Sequence, residues 1–586
     1  MKCSELEDAA DGWGRASNRA DAARDRIDKQ LLAGLAASQE GEAAEAAVTR
    51  LRELSRNFQY VYTECGLVRT TLNSFAFELR GTQRKLVDAL DDAEVLKFTV
   101  HEDGSVSFPA GGENALTREE LPGGKAAGSA VPPLLAPPPA FTGPSPNPNA
   151  AKAQDIADRI ARAVSEARAV DLQYTGTLRK LTAQDGLKVT DAMWTDASGD
   201  ATAVRDLASD YLADAIPGDK TPAERKAWWD GLTQEEREEY LAVYPDRIGN
   251  MDGIPSEVRD AANRDNLQLL MGKLEGQGDE KSQTRLAGLR SIDAQLRAGG
   301  NPPMYLLGIG DEGNGRAIVA YGNPDTARNV SAYVPGLGTA LDEDFAKNDL
   351  KRARDTAVGA QKYDESSAAI VWLGYDAPQA PDSEKLTGNF AVMGTAQAER
   401  GAPAYNSFMS GLEATNQNDD VHLTAIGHSY GSRTVGAAAQ QEGGIPGADD
   451  IILVGSPGVG VDRAEDLGVA KDHVFVGAAE NDPVTKLPSK QQVALAVAAG
   501  PAGAYFGGEA GDVGDDDLWF GKDPASEAFG ARRFEVADGP RPFLDGDGAA
   551  PAHSNYFNPE KDLVSADNVA LIVSGKPQYI KGNEWR

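Results

Sequence analysis

The stretch LTAIGHSYGSRTVGAAA, residues 423–439, decides the fold of the C-terminal half of this chain. Its apolar beginning predicts a strand, its small-residue end predicts a helix, and the pentapeptide GHSYG joins them with Ser429 at its centre. A serine on such a strand-to-helix turn adopts strained backbone angles and needs small neighbours, which the flanking glycines provide. The turn lifts the serine hydroxyl above the carboxyl edge of a sheet. We therefore interpret it as a nucleophile elbow.

The remaining segments after residue 300 place this turn in an α/β architecture. Short apolar and β-branched runs alternate there with helical stretches. The predicted strands lie at 304–310, 316–322, 329–336, 367–375, 421–427, 450–458 and 473–480. Continuous apolar strands separated by helices indicate a mainly parallel sheet that is covered on both faces. We expect an α/β fold with such a sheet, preceded by an α-helical N-terminal region.

A serine hydroxyl needs a base before it becomes a good nucleophile, and the chain contains five histidines. His553 lies in the loop GDGAAPAHSNYF after the last predicted strand. It is the predicted base, because folds with this turn carry serine, acid and histidine in that chain order. His422 and His473 begin strands and are interpreted as surface or edge residues. His101 lies in a distant hairpin, and His428, inside the pentapeptide, is interpreted as a packing residue.

The acid that orients the base is expected after the strand at 473–480. The sequence there reads ENDPV, and Asp482 is the predicted acid. Glu480 is the rival, two residues earlier and close to the end of the strand. The choice depends on where that strand ends.

Acyl transfer also needs N–H donors for the oxyanion that forms during attack. The Tyr430 N–H lies at a helix N-terminus directly after the serine and is one predicted donor. The segment AYVPGLGTALDEDF supplies a second, because a strand runs there into a glycine-containing turn before a helix. The amide of Gly336 or Leu337 is the expected donor. A tight strand-to-helix turn alone would also account for these glycines.

Several motifs carry a family resemblance. TAIGHSYGS, YVPGLGT, WLGYDAP, GAAENDPV and AHSNYF together resemble the actinobacterial α/β-hydrolases once called a domain of unknown function, the DUF1023 group. RIGNMDGIPSEVRDAANRDNL is similar to the segment that precedes their hydrolase core. The resemblance covers about residues 220–575. It implies an α/β-hydrolase fold with the catalytic triad Ser429, Asp482 and His553, and it implies no particular substrate.

The chain before residue 300 is predicted to be mostly helical. The expected organisation has four parts. Residues 1–120 form a long α-helical hairpin with a small β-hairpin, and residues 121–150 form a Pro/Gly-rich linker. Residues 151–300 form a helical region that leads into the hydrolase, and residues 301–586 form the catalytic α/β domain. A two-helix hairpin has little core of its own. Its apolar stripe should therefore pack on the 151–300 helices, as we favour, or on a second copy or a separate helical partner.

Composition narrows the classes of partner and cofactor. With 58 Lys and Arg against 90 Asp and Glu, the formal charge is −32, which argues against nucleic acid or an anionic membrane as the main partner. No CxxC, HExxH or Walker motif occurs, so we expect no metal and no cofactor. There is no signal-peptide pattern or apolar span of membrane length, which predicts a cytoplasmic protein and leaves signal-peptide-independent export open.

The motifs favour a serine esterase that cleaves an acyl bond, most simply a carboxylic ester of a small molecule or lipid, through an acyl-enzyme. The alternative is a binding or assembly protein that uses the hydrolase domain as a scaffold and its N-terminal hairpin for function. The substrate, its acyl chain length and the oligomeric state are not predicted. Whether residues 498–530, between acid and base, form a lid is also left open.

Overall fold

The computed structural model describes residues 2–38, 40–114, 116–130, 147–182, 188–379, 394–489, 517–545 and 550–585. These residues divide into two compact units. The first unit comprises Met1–Val189 and Gly199–Ile216, and the second comprises Thr190–Ser198 and Pro217–Arg586. The domain boundaries predicted at 120, 150 and 300 stay predictions.

The first unit is built on long helices, as predicted for the N-terminal region. Its helices are α1 (Cys3–Arg26), the π-helical Ile27–Leu32, Ala33–Ser38, α2 (Glu42–Val95), α3 (Pro148–Leu178), Ser209–Leu212 and the 3-10 segment Ala213–Ala215. Its strands are β1 (Thr99–Val100), β2 (Val106–Phe108) and β3 (Gly124–Ala126). Helix α4 (Asp191–Leu207) contributes residues to both units.

The apolar stripe of the α-helical hairpin is partly covered by α3, within the first unit. The Tyr174 ring stacks on Phe75 with 5.0 Å between centroids, and its hydroxyl lies 2.7 Å from the Ser74 hydroxyl. Strands β1 and β2 form the predicted β-hairpin. Strand β3, which lies in the segment predicted to be a Pro/Gly-rich linker, pairs with β2. Residues 131–146 of that segment lie outside the described residues.

The second unit contains the α/β part of the chain. Its further helices are α5 (Pro222–Gly231), α6 (Gln234–Val243), Pro245–Gly249, α7 (Ser256–Glu275), α8 (Glu280–Ala298), the π-helical Phe345–Asp349, α9 (Leu350–Gln361), α10 (Ala396–Thr415), α11 (Tyr430–Ala439) and α12 (Leu563–Val573). The 3-10 segments are Ala464–Leu467, Lys471–His473, Pro483–Lys486, Pro551–Ser554 and Pro577–Tyr579.

Eight of the described strands form one mainly parallel sheet, which confirms the predicted fold class. They are β4 (Met304–Gly310), β5 (Arg316–Tyr321), β6 (Asn329–Val334), β7 (Ser367–Leu373), β8 (His422–His428), β9 (Ala448–Val454), β10 (Val474–Gly477) and β13 (Arg532–Arg533). Their spatial order is β13-β10-β9-β8-β6-β7-β5-β4. Only β5 runs antiparallel to its neighbours β4 and β7. A separate hairpin pairs β11 (Asp517–Leu518) with β12 (Gly521–Lys522).

The central strands are buried on both faces, as their continuous apolar runs predict. In β8, Leu423 and Ala425 belong to one hydrophobic cluster, whereas Ile426 belongs to the cluster on the opposite face. In β6, Val334 and Tyr333 divide in the same way. This packing holds the carboxyl ends of both strands in fixed positions at one edge of the sheet.

Helix α7 is tied to the sheet by buried polar contacts, although it precedes the first strand. The Arg259 guanidinium donates to the Leu307 carbonyl at 2.8 Å, and the Asn263 amide donates to the Leu306 carbonyl at 3.0 Å. Asp325 accepts a hydrogen bond from the Ser256 hydroxyl at 2.7 Å. Buried polar groups with such partners fix one packing arrangement. Helix α7 therefore belongs structurally with the sheet, in the same compact unit.

Candidate active site

Ser429 lies on a sharp turn between β8 and α11, with φ 57° and ψ −130°. A positive φ is uncommon for a residue other than glycine and is kept only where the surrounding structure enforces it. The Ser429 N–H donates to the Val454 carbonyl at 3.1 Å. A Cβ atom at Gly431 would lie 2.0 Å from the Val334 carbonyl oxygen. Strand, turn and helix are therefore packed too closely for any larger residue there.

The loop after β6 passes directly over this serine. A Cβ atom at Gly336 would lie 2.6 Å from the Ser429 Cβ and 3.0 Å from its hydroxyl oxygen. The Tyr375 hydroxyl donates to the Pro335 carbonyl at 2.7 Å, and the Thr339 hydroxyl donates to the Gly336 carbonyl at 2.9 Å. These bonds hold the loop by its carbonyl groups.

Three main-chain N–H groups close to the serine have no acceptor in the described part of the chain. Among the described residues, none accepts a hydrogen bond from the N–H of Gly336, Leu337 or Tyr430. Buried or half-buried N–H groups normally have partners. These three are thus available to a bound oxygen atom, although the described geometry does not single out Gly336 or Leu337.

His553 and Asp482 are in direct contact. The His553 Nδ1 lies 2.9 Å from the Asp482 Oδ2, in a pair whose carboxylate is fully buried. A carboxylate can only accept at this contact, so the His553 Nδ1 is the donor, and Nε2 is left for other contacts. Among the described residues, the Ser429 hydroxyl has no hydrogen-bond partner. His553 nevertheless lies beside the turn, because its ring stacks on that of His428 at 4.6 Å.

Asp482 is held as a carboxylate by three donors. Besides His553, the Tyr556 hydroxyl donates to Oδ2 at 2.6 Å and the Val484 N–H donates to Oδ1 at 2.9 Å. Burial alone would raise the pKa of Asp482. The charge of His553 and the hydrogen bonds from His553 and Tyr556 outweigh that effect and lower the pKa to about 2. Asp482 is therefore ionised at neutral pH and able to stabilise a protonated His553.

The rival acid lies elsewhere. Strand β10 ends at Gly477, before Glu480, and the Glu480 carboxylate pairs with the Lys486 ammonium at 2.5 Å on the surface. His422 and His473 lie at the opposite end of the sheet, where both contact the buried Asp450. They do not approach the serine turn.

Two residues at the site have contacts that the sequence interpretation did not anticipate. Tyr556 binds the acid, and its only signal in the sequence was its position three residues after His553 in AHSNYF. The His428 Nε2 lies 2.8 Å from the His553 carbonyl oxygen. An aromatic or histidine residue next to a site residue is a weak signal, because packing explains it equally well.

Part of the segment considered as a lid is described and packs onto the sheet. At the β11–β12 turn, Trp519 and Phe520 are buried. The Phe520 N–H donates to the Pro457 carbonyl at 3.0 Å, and the Phe520 ring meets Tyr430 edge-on at 5.6 Å. Residues 517–530 thus form a wall of the domain next to the turn. The remainder, 498–516, lies outside the described residues.

Metal-binding clusters and membrane-spanning helices are both absent from the described part of the chain. It contains no group of three or more His, Cys, Asp or Glu side chains arranged to hold a metal ion. None of its helices combines the length and the apolar character needed to cross a membrane.

The model of a family described as Alpha/beta hydrolase matches residues 311–492, which agrees with the predicted α/β-hydrolase fold. An uncharacterized protein of Mycobacterium tuberculosis H37Rv, Rv2079, is 29% identical over 401 residues, 61% of this chain and 56% of its own length. The chain thus spans little more than half of that relative.

Two further relatives match over a shorter range. Uncharacterized proteins Mb0988c of Mycobacterium bovis and Rv0963c of Mycobacterium tuberculosis H37Rv are each 36% identical over 209 residues. The alignment covers 34% of this chain and 74% of each relative. These names state no activity, so any activity of this chain must be argued from its own residues.

Proposed function

Because the chain belongs to the α/β-hydrolase family, we propose that it is a serine hydrolase that cleaves a carboxylic ester. Ser429 is the nucleophile, His553 is the base and Asp482 orients His553. The observation that supports this assignment most strongly is the 2.9 Å contact between His553 and the buried Asp482, next to a serine with φ 57°. A nucleophilic serine, a base and an acid that orients the base are the three groups that this chemistry needs.

The reaction follows from these roles. The Ser429 hydroxyl oxygen attacks the ester carbonyl carbon, and its proton passes to the His553 Nε2. Asp482 stabilises the imidazolium that forms, and the developing oxyanion accepts hydrogen bonds from the N–H of Tyr430 and of Gly336 or Leu337. Collapse expels the alcohol, which takes the proton from His553 and leaves an acyl-serine. Water, deprotonated by His553, then releases the acid and restores Ser429.

Covalent labelling tests the nucleophile directly. A fluorophosphonate probe is expected to label the wild-type chain at Ser429 and to leave Ser429→Ala unlabelled. Ser432→Ala is the matched control, since Ser432 lies one turn further along α11 and donates its hydroxyl to the Gly427 carbonyl at 3.1 Å. That variant should label like wild type. Equal labelling of wild type and Ser429→Ala would contradict the proposal.

The same preparations test the reaction class. Wild type should hydrolyse acyl esters of graded chain length, and the chain-length profile would define the substrate class. A wild type that neither reacts with the probe nor hydrolyses any ester would instead favour the alternative, a binding or assembly protein with a hydrolase scaffold.

A further inference from the structure

His428 has a position that packing alone does not require. It is the last residue of β8 and directly precedes Ser429, and it is 5% exposed. Its Nε2 lies 2.8 Å from the carbonyl oxygen of His553, a residue 125 positions later in the chain. A carbonyl oxygen can only accept a hydrogen bond, so the His428 Nε2 is the donor.

The two imidazole rings also stack. Their centroids lie 4.6 Å apart with 30° between the planes. His428 therefore contacts the proposed base in two ways, by its ring and by its N–H. The Asp482 contact fixes the other side of His553 through Nδ1. His428 thus contacts both the ring and the main chain of His553, and Asp482 contacts the ring at Nδ1.

The surroundings of His428 keep it in one orientation. Its ring meets Phe557 at 5.9 Å and Tyr333 at 6.3 Å. The Tyr333 hydroxyl donates to Asp349 at 2.8 Å, and Arg352 pairs with that carboxylate at 2.7 Å. The ring of His428 is consequently enclosed by side chains that are themselves fixed.

His428 is held in its neutral form next to His553. Burial, the neighbouring His553 and the charge of Arg352 lower the pKa of His428 well below its usual value, while the hydrogen bond to the His553 carbonyl and the charge of Asp482 act in the opposite direction. His428 stays neutral while His553 gains and loses a proton. A charged neighbour would disfavour the imidazolium that catalysis requires.

We propose that His428 is a positioning residue for His553, which holds the main chain of the proposed base by its N–H donor and the ring by stacking. This inference rests on the proposed function, because positioning matters only if His553 takes a proton from Ser429. The residue before the nucleophile would then link the nucleophile turn to the loop that carries the base. Displacements near 1 Å at such a group cost about 100-fold in rate.

Two substitutions separate positioning from packing. His428→Leu keeps an apolar side chain and removes the donor, whereas His428→Gln keeps an N–H donor at similar reach and loses the ring. Positioning predicts that kcat falls by about 100-fold in His428→Leu and by less in His428→Gln, with KM unchanged in both. Packing predicts the reverse order, because a buried amide is tolerated less well than leucine.

The experiment measures kcat and KM with an acyl ester, the rate of fluorophosphonate labelling, and thermal unfolding of each full-length variant. His422→Gln is the matched control, since it changes a partly buried histidine at the first position of the same strand and should keep wild-type rates. Folded variants in which His428→Leu is as fast as wild type, or faster than His428→Gln, overturn the inference. If His428→Leu does not fold, a folded His428→Gln with an unchanged labelling rate also overturns it, and a reduced rate at unchanged KM supports it.

The outcome for the wild type distinguishes the two proposals. An unreactive wild type overturns the proposed function, and this inference with it. A reactive wild type together with equally reactive His428 variants overturns the positioning role alone and leaves Ser429, His553 and Asp482 in place.

Discussion

The two ends of the central sheet carry the same kind of contact in different surroundings. At the carboxyl end, His553 lies 2.9 Å from the buried Asp482. At the amino end, His422 and His473 lie 2.8 and 2.7 Å from the two oxygens of the buried Asp450. Judged by distance and burial of the acid alone, the two sites are equivalent.

Their surroundings separate them. Asp450 uses both oxygens on histidines that begin β8 and precede β10, so it joins neighbouring strands, as a structural clamp would. The His553 of the other pair stacks on His428, beside the strained Ser429, where the N–H groups of Gly336, Leu337 and Tyr430 have no acceptor among the described residues. A histidine–aspartate pair is therefore not a functional signal by itself. What distinguishes the candidate site is its place at the carboxyl ends of parallel strands, where loops converge.

Removing each acid sharpens this comparison most strongly. Asp482→Asn should lower kcat by about 10⁴-fold, because an amide favours the wrong tautomer of His553. Asp450→Asn should leave kcat unchanged and lower the free energy of unfolding by about 1.5–3 kcal/mol, since a hydrogen bond to a charged group is lost. Steady-state kinetics and urea unfolding of both variants measure the two effects.

Glu480→Gln is the control for the assignment of the acid. The Glu480 side chain is exposed and pairs with Lys486, so its loss should leave kcat near the wild-type value. If Glu480→Gln is the inactive variant and Asp482→Asn is active, the proposed acid is wrong. Equal loss in Asp450→Asn and Asp482→Asn would remove the distinction between the two ends of the sheet.

A smaller loss is expected when the second donor to the acid is removed. Tyr556→Phe deletes the hydroxyl that donates to the Asp482 Oδ2 at 2.6 Å. The carboxylate keeps His553 and the Val484 N–H, so it stays ionised at neutral pH, and kcat should fall by about 10-fold, or ~1.4 kcal/mol. Tyr363→Phe is the matched control. The Tyr363 hydroxyl also donates to a carboxylate, that of Asp567 at 2.5 Å, but this pair lies away from the site. Equal kinetics for both variants would contradict a role for Tyr556.

Much of the sheet could be predicted because its strands are buried on both faces. The runs around Val330, Ile370 and Ile452 are mainly apolar, which is typical of strands in a covered parallel sheet. Strand β13 could not be found this way, because it consists of Arg532 and Arg533 at the edge of the sheet. Its pairing depends on neighbours such as Phe475, whose ring lies 4.9 Å from the Arg532 guanidinium carbon.

In the candidate site, too, some residues could be predicted from the local sequence and others could not. Ser429 is marked by a local pattern, since the turn itself demands small neighbours. Asp482 and Glu480 could not be separated locally, because the difference depends on where β10 ends and how the chain turns afterwards. The contacts of Tyr556 and His428 join segments more than 70 residues apart. No periodicity in the sequence records such contacts, so they require the structure.

The effect of pH on stability tests the amino end of the sheet without changing the candidate site. Burial alone would lower the pKa of His422, but the hydrogen bond and the charge of Asp450 raise it above its usual value. The protonated form is thus favoured in the folded state. Its contribution to the free energy of unfolding is complete below the unfolded pKa of about 6.5 and is lost as pH rises through the folded value.

Urea unfolding of wild type and His422→Gln between about pH 5.5 and 8.5 isolates the contribution of His422 to the free energy of unfolding. The free energy of unfolding of wild type should fall relative to the variant as pH rises, by at most about 1.4 kcal/mol per pH unit for one proton. His428, whose lowered pKa acts in the opposite direction at low pH, cancels in the difference. His473 and Asp449, which also face Asp450 or His422, are present in both proteins. Parallel curves would mean that His422 gains no proton on folding, and kcat of His422→Gln should match wild type throughout.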